Sequence, residues 1–139
     1  MAERLFQVGI KGLIRDNAGK ILLLEIPKGT ESYWDLPGGR MDEGETFKQT
    51  LARELREEID CDYVGEPKHL MTVVSNITIP VGDSRVGLIL MAFEVTLADN
   101  YVITLNDVEI AYAWYTPSEA SKLLANKYPP DFTYVIDSL

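Results

Sequence analysis

The stretch that decides the reading is Gly38-Gly39-Arg40-Met41-Asp42-Glu43-Gly44-Glu45-Thr46-Phe47-Lys48-Gln49-Thr50-Leu51-Ala52-Arg53-Glu54-Leu55-Arg56-Glu57-Glu58-Ile59-Asp60-Cys61. Thr46 followed three residues later by Gln49 matches a capping box, and Phe47, Leu51, Leu55 and Ile59 recur at a spacing of four. The spacing predicts a helix over 47–59. Asp42, Glu43, Glu45, Glu54, Glu57, Glu58 and Asp60 make the same stretch strongly acidic.

A solvated helix face is the ordinary fate of such acids, and helix geometry argues against it. At about 100° per residue with Leu51 at zero, Leu55 falls at about 40°, Ile59 at about 80° and Phe47 at about −40°. Glu58, at about −20°, lies inside this apolar stripe, with Glu54 at about −60° and Glu57 at about −120° on one flank. Carboxylates turned toward a core cost several kcal/mol each unless paired or metal-bound, and neighbours within one turn repel. A hard divalent cation answers both costs, and an all-oxygen donor set suits Mg²⁺ or Mn²⁺.

Upstream, Gln7 to Ile14 and Lys20 to Ile26 read as strands joined by Asp16-Asn17-Ala18-Gly19, a hairpin pattern. Pro27 to Glu45, with Pro37-Gly38-Gly39 and Gly44, reads as a long loop of the kind that carries function. Downstream, His69 to Pro80 and Arg85 to Leu97 form a second hairpin pattern, and Ile110 to Tyr115 a short strand. Thr116-Pro117-Ser118-Glu119 opens a helix of about eight residues, which Tyr128-Pro129-Pro130 ends before a short tail. Strands on both sides of a central helix predict an α/β fold, a mixed sheet sandwiched between helices.

The 139 residues, 46% hydrophobic, are enough for one domain with one core, taken as residues 1–139 with its core over about 5–120 and the C-terminal tail packed on it. Thirteen basic against 22 acidic residues give a net charge of −9, which disfavours a nucleic acid polymer and allows a small phosphorylated substrate if a cation intervenes. A lone cysteine, Cys61, and the absence of a signal-peptide core or a membrane-length apolar run set the expectation of a cytoplasmic protein, free of membranes, monomeric or homodimeric.

Gly39, Glu45, Arg53-Glu54-Leu55, Glu57-Glu58 and Cys61 follow the pattern G-x5-E-x7-R-E-U-x-E-E-x-G-U, so the chain resembles the Nudix hydrolases, MutT-like members included. Eight of nine specified positions match, and the likeness extends over about residues 5–120 through Trp34-Asp35-Leu36-Pro37-Gly38 and Asp16 to Leu24. Asp60 stands where the family has glycine, a site expected to close the helix in a left-handed conformation that Asp tolerates better than most.

The resemblance implies a Mg²⁺-dependent pyrophosphohydrolase that cleaves the diphosphate linkage of a nucleoside diphosphate derivative or nucleoside triphosphate. It makes Glu57 and Glu58 metal ligands, Glu54 a ligand or general base, and Gly38 a ligand through its carbonyl. Arg53, pointing away from the core, is suited to pair with Glu45 and hold the loop against the helix. Glu109, in a late loop, is the alternative base, and Gly39, Arg40, Tyr128 and Phe132 are candidates for substrate contact. The other reading on the same fold is a nucleotide-binding sensor that cleaves nothing; it would be expected to lack a carboxylate of the box, and none is missing. Asn76 to Ile79, where some subfamilies carry a marker Pro or Tyr, holds neither, which leaves ADP-ribose, dinucleoside polyphosphates and oxidised nucleoside triphosphates open.

Overall fold

The computed structural model describes residues 3–139, so Met1 and Ala2, the start of the stretch read above for a leader, lie outside it. Seven strands and three helices follow in the order β1 (Phe6–Leu13), β2 (Ile21–Lys28), β3 (Glu31–Asp35), β4 (Gly38–Arg40), α1 (Phe47–Ile59), β5 (Tyr63–Val81), β6 (Ser84–Leu97), β7 (Ala111–Tyr115), α2 (Pro117–Leu124) and α3 (Pro130–Asp137). They form two sheets, β4-β1-β6-β5 and β3-β2-β7. The first is mixed, because β1 runs parallel to β6 and antiparallel to β4.

The α/β class and the helix over 47–59 agree with the sequence reading; three features differ. β1 and β2 do not form a hairpin: a single bridge, Arg15 to Ile21, joins them, and they enter different sheets. The cause is long-range pairing, since β1 takes β6 as its partner all along Phe6–Leu13. Nor is Pro27 to Glu45 all loop. β2 continues through Lys28, turns at Gly29-Thr30 and pairs with β3 down to Leu24–Asp35, while β4 lies along β1. The predicted tail is helix α3, whose Phe132 and Ile136 are fully buried.

The apolar run Ile21–Leu24 shows why the chain needs cover on both sides of its sheets. Leu22 and Leu24 pack with Leu51, Leu55 and Ile59 of α1, whereas Ile21 and Leu23 pack with Leu124 of α2 and Phe132 of α3. Alternate strand residues point to opposite faces, so a strand buried on both must be apolar throughout.

α1 begins with the anticipated capping box, the Thr46 side chain accepting from Gln49 N and the Gln49 side chain accepting from Thr46 N. It ends at Asp60 in the left-handed region (φ 55°, ψ 43°), the conformation expected there. Among the described residues no helix is long and apolar enough to cross a membrane.

Because Phe132 is wholly enclosed between α2, α3 and the sheets, Phe132→Ala should cost about 3–5 kcal/mol of stability. Urea unfolding measures it, and a loss under about 1 kcal/mol would mean that α3 is laid on the core rather than part of it.

Candidate active site

The charged flank of α1 is organised by one arginine. Arg53 donates from Nε to Glu45 Oε2 (2.8 Å) and from Nη2 to Glu45 Oε1 (3.0 Å), a bidentate pair. Its Nη1 reaches Glu54 Oε1 at 2.9 Å and Glu57 Oε2 at 3.5 Å, and Nη2 also donates to the Arg40 carbonyl at 3.1 Å. The planar guanidinium supplies donors in a fixed fork, which a lysine cannot reproduce. Glu45 also accepts from Asp42 N and Thr50 Oγ1, and these bonds, led by that from Arg53, hold its carboxyl down at about 2. The pairing of Arg53 with Glu45 anticipated from the sequence is present.

Gly38 needs its missing side chain. Its φ is 139°, and a Cβ there would overlap the Ile10 carbonyl oxygen across the β1–β4 pairing. The tight approach turns the Gly38 N–H onto α1, where it donates to Glu58 Oε1 at 2.6 Å. Next to it, a Cβ on Gly39 would run into the Glu54 carboxylate.

The carboxylates of α1 are not equivalent. The Glu54 side chain is 14% exposed and that of Glu57 56%, so Glu57 faces solvent where helix angles alone put it on the flank turned to the core. Burial is the main force on Glu58, pushing its carboxyl up to about 8, with Glu54 and Glu109 adding to the rise and the Gly38 N–H and Lys11 opposing it. Burial likewise raises Glu54, against the pull of Arg53.

Glu109 reaches this place through a backbone route that the sequence did not display. Asn106 Nδ2 donates to the Glu57 carbonyl (3.0 Å), and Thr104 N to that of Ile59 (3.0 Å), which fastens the 101–110 loop to the end of α1. Glu109 Oε2 is buried and has no hydrogen-bond partner. A buried carboxylate oxygen without a partner, in a loop near enough to push Glu58 up, is a cost that a divalent cation relieves, and the oxygen-only donors fit Mg²⁺ or Mn²⁺. No group of three His, Cys, Asp or Glu among the described residues is gathered on a single point.

On the other side of β4 lies a cleft of about 270 Å³ that Gly39, Arg40 and Tyr128 help to line. Behind it is a charged network absent from the sequence reading. Asp35, 4% exposed, accepts from Lys11 Nζ (3.2 Å), from Lys127 Nζ (2.7 Å) and from the Tyr128 hydroxyl. Burial alone would raise Asp35, but the charges of Lys11 and Lys127 hold its carboxyl below the usual carboxylate value. The one available signal was Lys11 itself, a cation set in the apolar strand Val8 to Leu13. Of the aromatic candidates, Tyr128 borders the cleft, whereas Phe132 stacks on Tyr128 inside the core (centroids 4.2 Å apart) and offers a ligand no surface.

Comparison with known proteins gives the family and the fold. A family model for the NUDIX domain matches residues 5–136, and the chain belongs to that family. Over 61 residues it is 43% identical to an 8-oxo-dGTP diphosphatase of Haemophilus influenzae, a match spanning 42% of this chain and 44% of that protein. The chain thus aligns with under half the length of this curated relative. Among solved structures, a MutT protein of Methanosarcina mazei Go1 superposes with a TM-score of 0.70 at 24% identity over 99% of this chain and 95% of the other. The dihydroneopterin triphosphate pyrophosphohydrolase of E. coli does so with a TM-score of 0.71 at 18% identity, over 98% and 97%. At these identities the superpositions establish the fold.

Arg53→Ala should destabilise the protein by about 1–3 kcal/mol, because it strips the partner from carboxylates that remain partly buried. Arg53→Lys should recover only part of the loss in denaturant unfolding; full recovery would show that charge rather than the fork matters.

Proposed function

We propose that this protein is a Mg²⁺-dependent pyrophosphohydrolase acting on the diphosphate linkage of a small nucleotide-type substrate. The observation that carries the reading is the buried Glu58 carboxyl bonded to the Gly38 N–H, with Glu54 packed against Gly39 and the orphaned Glu109 Oε2 in a loop near enough to push Glu58 up. Membership of the NUDIX family supports it, as does the local likeness to a diphosphatase.

In this reading Glu54, Glu57, Glu58 and the Gly38 carbonyl hold the cation, Mg²⁺ with Mn²⁺ as substitute. A cation held there supplies Lewis acidity and neutralises charge that develops on the diphosphate. The rest falls to the chain. Arg53 fixes Glu45 and Glu54 and so sets the distance between loop and helix. Glu54 takes the proton of the attacking water at a carboxylate oxygen, with Glu109 as the second candidate for that step. Gly39, lacking a side chain, leaves Glu54 room against the strand that carries Arg40.

The decisive experiment is a hydrolysis screen with Mg²⁺ across nucleoside triphosphates, nucleotide sugars, ADP-ribose, dinucleoside polyphosphates and NADH. Turnover of one class is expected. Tight nucleotide binding without turnover of any would overturn the hydrolase in favour of a sensor.

Two measurements examine the site itself. Mg²⁺ at a hundredfold excess over its Kd should stabilise the folded protein by about 2.7 kcal/mol, visible as a raised Tm, and Glu58→Gln should remove most of that rise. An unchanged metal response in that variant would take Glu58 out of the ligand set. Glu57→Gln and Glu58→Gln should each lower kcat by about 10²- to 10⁴-fold, since every 1.36 kcal/mol of lost transition-state stabilisation is tenfold. Glu43→Gln, an exposed acid of the same stretch, should leave kcat within about twofold. Similar small losses in all three would mean that the cluster acts only through bulk negative charge.

A further inference from the structure

The cleft beyond β4 is chemically one-sided. In a protein with 22 acidic and 13 basic residues, Lys11, Arg40 and Lys127 line it, and among the described residues no acid does. Asp35 lies behind the lining with both oxygens committed, Oδ1 to the Tyr128 hydroxyl and Oδ2 to the two lysines. Ser75 accepts at Oγ from Ile77 N (3.2 Å), which leaves its hydroxyl hydrogen to donate. The side-chain polar groups around the cleft are therefore chiefly donors, and a ligand there must bring acceptors.

The rest of the wall is apolar. Ile77 and Ile79 of β5 and Leu88 and Leu90 of β6 face Lys127 and Tyr128 across the cleft. A bare phosphate would satisfy the cations and gain nothing from that wall. A flat ring with an acceptor on its edge uses both, burying its faces against the aliphatic side chains.

Lys127 is the cation placed to choose. Its side chain is 37% exposed, it borders both this cleft and an adjoining one of about 470 Å³ beside Tyr33 and Trp34, and its Nζ lies 4.7 Å from the centre of the Tyr33 ring. One N–H is spent on Asp35 at 2.7 Å and a second makes a long contact with the Tyr33 hydroxyl at 3.5 Å, so a third remains. Lys11, by contrast, is buried and is further occupied by the Leu36 carbonyl.

We infer that Lys127 is the specificity-determining residue of this cleft, reading an acceptor oxygen on the edge of the substrate's base and selecting keto over amino at the ring position it meets. The inference rests on the proposed function only in placing a nucleotide's diphosphate beside Gly38 and Gly39. An ammonium has no acceptor, so an amino group in the same place sets donor against donor and leaves Lys127 poorly paired.

The test uses substrate pairs that exchange keto for amino at one ring position, ITP against ATP and UTP against CTP. Equilibrium binding by calorimetry and kcat/KM with Mg²⁺ are both measured. In at least one pair the keto member should bind about tenfold tighter or more, the scale of a charge-assisted hydrogen bond. Lys127→Gln, whose amide offers either a donor or an acceptor, should bring the ratio within about twofold, and Lys127→Arg should keep it.

Ratios near one in both wild-type pairs, a ratio that survives Lys127→Gln, or no binding of any of the four would overturn the inference. Should Lys127→Gln fail to fold, the wild-type ratios and the Arg variant decide alone. A keto preference in binding without turnover keeps Lys127 and removes the hydrolase; turnover without preference does the reverse.

Discussion

Arg53 is the point on which the site depends. Five groups from loop, strand and helix converge on one guanidinium: Glu45, Asp42, the Arg40 carbonyl, Glu54 and Glu57. A single planar cation can serve so many only because its donors are spread around a rigid fork. Without it the acids of α1 and the loop would repel one another, and the loop between β4 and α1 would have little to hold it down. The pairing also limits where the acids can go. Glu54 is kept beside Gly39, and Glu58, out of reach of Arg53, takes its hydrogen bond from the Gly38 N–H.

The second constraint is steric. β4 is only Gly38–Arg40, yet it lies between two chemically opposite surfaces. On one side are the carboxylates of α1; on the other is the cationic cleft of Lys11, Arg40 and Lys127. Two glycines in this strand let the backbone approach β1 and α1 closely. A protein of net charge −9 thereby presents local positive charge where an acceptor-rich ligand needs it.

The core packing and the lining of the cleft share residues in the C-terminal segment. Tyr128 stacks on Phe132, which anchors α3 in the core, and its hydroxyl closes the bond to Asp35. The buried carboxylate there is compensated by Lys11 and Lys127 together, and buried ion pairs of this kind contribute little net stability against apolar packing.

What the sequence determined by itself was local. The capping box at Thr46, the four-residue apolar period of α1, the left-handed Asp60 and the Arg53–Glu45 pair all follow from residues within about one or two helical turns, where spacing translates directly into geometry. Only the tertiary structure decided the rest, because it depends on partners far apart in the chain. β1 abandons its neighbour β2 for β6, some 80 residues on, by a parallel pairing that strand patterns do not encode. The loop that carries Glu109 is held to the end of α1 by the bond from Asn106 to the Glu57 carbonyl. Asp35 meets Lys127 across 92 positions, and Lys11 across 24. Helix angles likewise placed Glu57 toward the core, and the actual packing left it to solvent, since periodicity gives a direction around an axis and only the neighbouring elements determine which directions are covered.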